Sequence, residues 1–153
     1  MSGVYTVPFA YTGNANVDLV EVTAASSKPI IILGWDIGQS SDFGDAQEEI
    51  LTLSLKSGQT TSGSGGSAVT PVNTDSSGIA ASFVAEQANT TKASAGTILT
   101  HGVWTWNVRM PGDKLLSPEQ QFVMAASRRA TLEISGAADS LTITGLLWVQ
   151  EIG

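Results

Sequence analysis

The sequence predicts an all-β fold, an antiparallel β-sandwich of jelly-roll type with about eight strands. Three observations carry that expectation. Apolar residues alternate with polar or small ones along most of the chain, the period of two that turns one side of a strand toward a dry interior. Clusters of Gly, Pro, Asn, Asp and Ser separate these segments at a fairly even spacing. No window with a helical period runs longer than a turn or two.

Residues 4–11 place Tyr5, Val7, Phe9 and Tyr11 on one side and Thr6, Pro8 and Ala10 on the other. Proline cannot donate to a ladder, so residues 1–12 are expected as an edge strand or an arm. The four apolar residues suit a partner's sheet edge or groove, and they equally suit the first strand of the chain's own sheet. Turn residues at 13–16 lead to a strand over 17–23 with imperfect alternation. The most apolar run, 30–37, is rich in isoleucine and is expected as a central strand covered on both faces in its first half.

After an acidic, turn-rich stretch, Leu51, Leu53 and Leu55 alternate with Thr52, Ser54 and Lys56, a strand with one dry face. Residues 57–78 hold Ser, Gly and Thr without a usable period. They are expected as a long flexible loop, because ordering each residue costs about 1–2 kcal/mol with little apolar burial in return. Val69, Pro71 and Val72 would anchor it against a neighbour.

Ile79, Ala81, Phe83 and Ala85 line one face, a polar turn spans 88–96, and the longest strand, 98–109, puts Trp104, Trp106 and Val108 together. Ser117, Pro118, Glu119 and Gln120 read as one helical turn with a serine cap. A strand with Phe122, Met124 and Ala126 follows, then a hairpin with Arg128 and Arg129 at its tip and Ala130, Leu132 and Ile134 inward. The last strand, 141–151, turns Leu141, Ile143, Leu147 and Val149 inward. Leu146, Trp148 and Ile152 occupy the opposite face, which wants cover that another chain can supply. The 153 residues, free of internal repeats, are expected to form a single domain.

Composition removes several functions. With no cysteine there is no disulfide, thiolate metal site or cysteine nucleophile. A net charge of −7, a pI near 4.4 and no basic cluster larger than Arg128 and Arg129 argue against nucleic acid as a partner. No segment approaches ~18 unbroken apolar residues, so no helix is expected to span a membrane. The first residues lack a basic region and a continuous apolar core, so the chain is expected to begin at or near Met1 and to be made in a bacterial cytoplasm.

His101, the one histidine, has no partner at catalytic or metal-ligand spacing and is expected at a surface or loop end. No nucleophile elbow or phosphate loop is present. Asp42, Asp45, Glu48 and Glu49 are the candidates for a hard cation such as calcium, but their spacing is not that of an EF-hand. Turn geometry and an acidic patch account for them, and neither metal nor cofactor is expected. Glu48 and Glu49 are adjacent and point to opposite faces of a strand, which speaks against paired-carboxylate glycoside hydrolysis. Trp104 and Trp106 suit a sugar-stacking platform or, more simply, a sandwich core or interface.

The stretches GQSSDFGDAQEEILTLSLKSG, SGSGGSAVTPVN, LLSPEQ and LTITGLLWVQEIG, in this order, resemble small virion proteins of tailed bacteriophages. Those are jelly-roll modules that serve as capsid decoration (cement) proteins or as head and tail accessories. The resemblance implies a non-enzymatic structural protein, a homotrimer seated on the phage major capsid protein at the capsid surface. A tail or head-surface module that binds a receptor or carbohydrate is the alternative. The acidic loop 42–49 and the 117–120 turn are recurrent pieces of the likeness, with no role attached to either.

Overall fold

A computed structural model describes every residue except 1, 2, 43 and 45–47. The described residues form twelve strands: β1 (Gly3–Gly13), β2 (Val17–Thr23), β3 (Ile30–Gln39), β4 (Ile50–Thr61), β5 (Ser67–Val69), β6 (Val72–Asn73), β7 (Val84–Asn89), β8 (Ser94–Asn107), β9 (Gly112–Leu115), β10 (Phe122–Met124), β11 (Arg129–Ile134) and β12 (Leu141–Glu151). Two antiparallel sheets share one core. The front sheet runs β10-β3-β12-β1-β6, with β9 also on β3, and the back sheet runs β5-β7-β2-β11-β4-β8.

The pairings reveal the winding. β1 pairs with β12, β2 with β11, β3 with β9 and β10, and β4 with β8, so the first half of the chain lies back along the second half as one long hairpin. Successive rungs of that hairpin fall alternately in the front and back sheets, and β12·β3 and β11·β4 join them sideways. This is the jelly-roll arrangement, and the all-β sandwich expected from the sequence is what forms.

Alternation places the core. Tyr5, Val7 and Phe9 of β1, Ile30, Ile32 and Ile37 of β3, and Leu141, Ile143, Leu147 and Val149 of β12 pack against Leu51, Leu53 and Leu55 of β4 and Leu132 and Ile134 of β11. The N-terminal segment is therefore part of the domain's own sheet, paired with β12 over its whole length. Tyr5, Val7, Phe9 and Tyr11 are buried core residues, not a partner-facing set. Ala10 N–H bonds the Gln87 side chain and Val4 C=O accepts from Thr74, both on the side away from β12. Pro8 shares their direction, so its missing N–H breaks no ladder bond.

Imperfect alternation in β2 has a local cause. Leu132 lies opposite Val20 and Glu133 opposite Asp18, so Leu19 is the extra residue of a bulge. The phase change lets β2 bury Leu19 and Val20 in succession and still turn Asp18 and Glu21 to a second, polar, equally dry environment.

Residues 57–78 hold structure the sequence did not suggest. β4 continues to Thr61, β5 extends the back sheet through β7, and β6 extends the front sheet through β1. Gly58 permits this: its φ is +93° and a Cβ there would lie 2.0 Å from the Thr97 carbonyl oxygen. Carboxylates do the fastening. Glu21 accepts from Ser62 Oγ (2.7 Å), Gly63 N (2.9 Å) and Asn89 Nδ2 (3.1 Å), with the Arg129 guanidinium 2.5 Å away as an ion pair. Glu151 accepts from Lys28 Nζ, Ser82 N and Phe83 N at the other end of the excursion.

Two further boundaries move. The strand expected around Ile79 to Ala85 is Val84–Asn89, with Phe83 and Ala85 buried and Ile79 exposed. Arg128 and Arg129 are not at a hairpin tip, because β10 belongs to the front sheet and β11 to the back, so the chain crosses between layers there. A turn does form at 117–120, with Gln120 N and Gln121 N both donating to the Ser117 carbonyl, but it is not a helical turn, and its amides are held by that carbonyl.

Candidate functional site

Among the described residues, no further layer of strands covers the outer side of the front sheet. Register puts Thr6, Trp148, Gly34 and Leu115 in one row across β1, β12, β3 and β9, and Pro8, Leu146, Asp36 and Asp113 in the next. Ile31 and Val123 pair beyond them on β3 and β10. Large apolar side chains remain in water along this side: Leu115 is 76% exposed, Val123 62% and Val72 54%. Of the three residues the sequence set on one face, Leu146 and Trp148 stand in these rows, Ile152 lies just past the end of β12, and all three are half-buried.

Inside this apolar face lie two carboxylates. Asp36 and Asp113 are directly opposite one another on β3 and β9. Trp148 Nε1 donates to Asp36 Oδ2 at 3.1 Å, which fixes that carboxylate. None of the four ion pairs among the described residues reaches either aspartate. A shallow depression beside them is bounded by Gly38, Pro111, Thr144 and Leu146. Both carboxylates rise from one open sheet instead of flanking a cleft from opposite walls, so the arrangement does not fit the two-carboxylate hydrolysis of a glycoside.

The described carboxylates of the acidic loop, Asp42, Glu48 and Glu49, are not gathered into one site. Glu48 is exposed and accepts from Asn107 Nδ2, while Glu49 turns into the domain and holds the amides of Ala138 (2.9 Å) and Asp139 (3.2 Å). Asp42 N–H bonds the Gln39 side chain, and Asp45 lies outside the described residues. No group of three potential ligands is gathered anywhere among the described residues.

The tryptophans give no stacking platform. Trp106 is in the core and donates to the Met110 carbonyl at 2.7 Å, and Trp104 packs edge-on against buried Trp35 with ring centres 5.7 Å apart. His101 has a structural task at the open margin of the sandwich. Its ring stacks on Phe122 of the front sheet at 3.9 Å and its Nε2 is 2.6 Å from Ser57 Oγ of the back sheet. Burial lowers its pKa, so the latch is made by the neutral imidazole at pH 7. The described residues supply no orienting acid for a Ser57–His101 dyad.

No protein-family model matches the chain, and no curated protein matches it. Among solved structures it is similar to VP17, a capsid protein of bacteriophage P23-77, at 7% identity and a TM-score of 0.28, covering 100% of this chain and 98% of that one. It is also similar to a chain of the T13 particle of IBDV at 12% identity and a TM-score of 0.23, covering 99% of this chain and 39% of the other. Scores this low place no constraint on function, which has to be argued from the topology and the surface.

The Asp36–Asp113 pair had no signal in the sequence. The two residues are far apart in the chain, Asp36 between Trp35 and Ile37 and Asp113 between Gly112 and Lys114, and only the β3·β9 register brings them together.

Proposed function

We propose that this chain is a non-enzymatic structural protein of a virion, a decoration or cement module of the tailed-phage kind that binds the major capsid lattice and stabilises the head. The uncovered apolar side of the front sheet carries the reading. A rigid jelly roll that leaves Leu115, Val123 and Val72 in water beside Leu146, Trp148 and Ile152 is built to be covered by another surface. No convergent catalytic set among the described residues competes with it, and the sequence likeness to small phage virion proteins points the same way. A module that binds only the mature lattice stabilises it by mass action, since every lost capsomer also costs the bound module.

Self-association to a homotrimer belongs to the same reading. The long outer strand β8 suits that contact, with Ile98, Leu99 and Val103 exposed.

Gold-labelled antibody against this chain, applied to intact particles of the virus that encodes it, should decorate the head surface. Particles from which it has been stripped should lose resistance to heat. Label confined to the tail would favour the receptor-binding alternative, and particles devoid of the chain would end the virion reading altogether.

A further inference from the structure

The front-sheet face violates three local rules at one place. Asp36 and Asp113 are like charges directly opposite across antiparallel strands, an arrangement that destabilises a sheet. Gly38, inside β3, has no left-handed φ, and a Cβ there would meet no atom of the described residues within 4 Å. Among the described residues, neither backbone conformation nor packing asks for glycine at that point, although glycine weakens a strand interior. Leu115 is the most exposed of the large apolar residues, in the row next to the aspartates. Such conflicts are expected where a surface is shaped for a partner.

We propose that this face receives an arginine of a second, basic protein. The guanidinium sits between Asp36 and Asp113 above Gly38, and the apolar residues around that arginine pack on Leu115, Leu146 and Trp148. A planar fork of donors matches two carboxylates better than an ammonium does, and Trp148 holds Asp36 ready to accept. An apolar rim that excludes water around a central charged pair is the usual anatomy of a hot spot.

A second copy is the poorer occupant. A twofold contact would set the same two aspartates against their equivalents, in a chain already at −7. The inference rests on the virion reading, in which the basic partner is the lattice protein.

Stripped particles titrated with the purified chain provide the test, comparing wild type with Asp36→Asn/Asp113→Asn, with Gly38→Leu, and with Asp139→Asn as an exposed acidic control away from the face. The double variant should melt at or above the wild-type temperature, because the opposed charges are gone. It should nevertheless bind particles about 30-fold or more weakly, with a flatter salt dependence. Gly38→Leu should bind equally poorly by filling the depression, and Asp139→Asn should bind as wild type.

Wild-type affinity in both face variants overturns the inference and leaves the virion reading standing. A wild type that does not bind stripped particles at all removes both. Self-association of the wild type that disappears in Asp36→Asn/Asp113→Asn would assign the face to a second copy and also overturn it.

Discussion

Asp18 shows how much a single buried charge shapes the back sheet. It is almost fully buried on β2, accepts from Ala93 N at 2.7 Å, and lies near Glu133 and Glu21. Burial first, and then those two carboxylates, push its pKa up to about 6 from 3.8. A raised carboxylate favours the protonated folded state. Its ionisation therefore costs stability above about pH 6, and that cost fades as the pH falls toward 4. The shift corresponds to roughly 2–3 kcal/mol at neutral pH. Asp18→Asn keeps an oxygen acceptor for Ala93 and removes the charge, so it should melt higher than wild type at pH 7.5 and the gap should close by about pH 4. Parallel melting curves across that range would show that Asp18 carries no such burden. Glu151 behaves oppositely. Burial raises its pKa, yet the bonds from Lys28 and Ser82 outweigh it and the net shift is downward. Its contribution is present above the ordinary carboxylate range and is lost as acid protonates it.

Between residue and molecule stands the excursion from β4 to β8, whose strands are fastened from a distance. Glu21 is the main anchor, because it gathers the Ser62 hydroxyl, the Gly63 amide and the Asn89 amide group while Arg129 balances its charge. Glu21→Gln should cost about 1–3 kcal/mol of stability, since buried donors lose a charged acceptor. The loss should be local as well as global: amide exchange at Gly63 and Ser64 should accelerate well beyond that of Leu53 in the core. Uniform acceleration at all three would mean the segment is not held by Glu21. The same geometry explains what sequence pattern can reach. Strands β1, β3, β4 and β12 announce themselves because a dry and a wet face alternate within one segment. β5 and β6 cannot, for they are two or three residues long, are ordered by pairing with β7 and β1, and leave no apolar period of their own. The N-terminal strand was visible as a strand, but whether Tyr5 to Tyr11 fill their own core or another's depends on β12 and β7, which no local pattern encodes. Likewise β10 and β11 alternate as a hairpin would, and only the layer crossing at Arg128 separates them.

At the scale of the whole molecule, charge is unevenly spent and this bears on assembly. Copies of a chain at −7 repel one another, so they should meet where charge is absent. β8 is that place. From Ser94 to Asn107 it has no acidic or basic residue apart from the neutral His101, it forms the free margin of the back sheet, and it exposes Ile98 by 45%, Leu99 by 54% and Val103 by 58%. A long uncharged edge invites pairing without limit, yet register shifts at Leu55/Lys56 and Ser57/Gln59 bend the β4·β8 ladder and spoil a flat template. A closed ring, in which β8 of one copy packs on the neighbouring copy and the front-sheet face stays free, satisfies both features. Light scattering at micromolar concentration should give three times the monomer mass of 15.8 kDa for wild type. Ile98→Lys/Val103→Lys should give the monomer with its circular dichroism unchanged, because both side chains already face water within the chain. A monomeric wild type would remove the trimer, and a trimer that survives both lysines would place its contact somewhere other than β8.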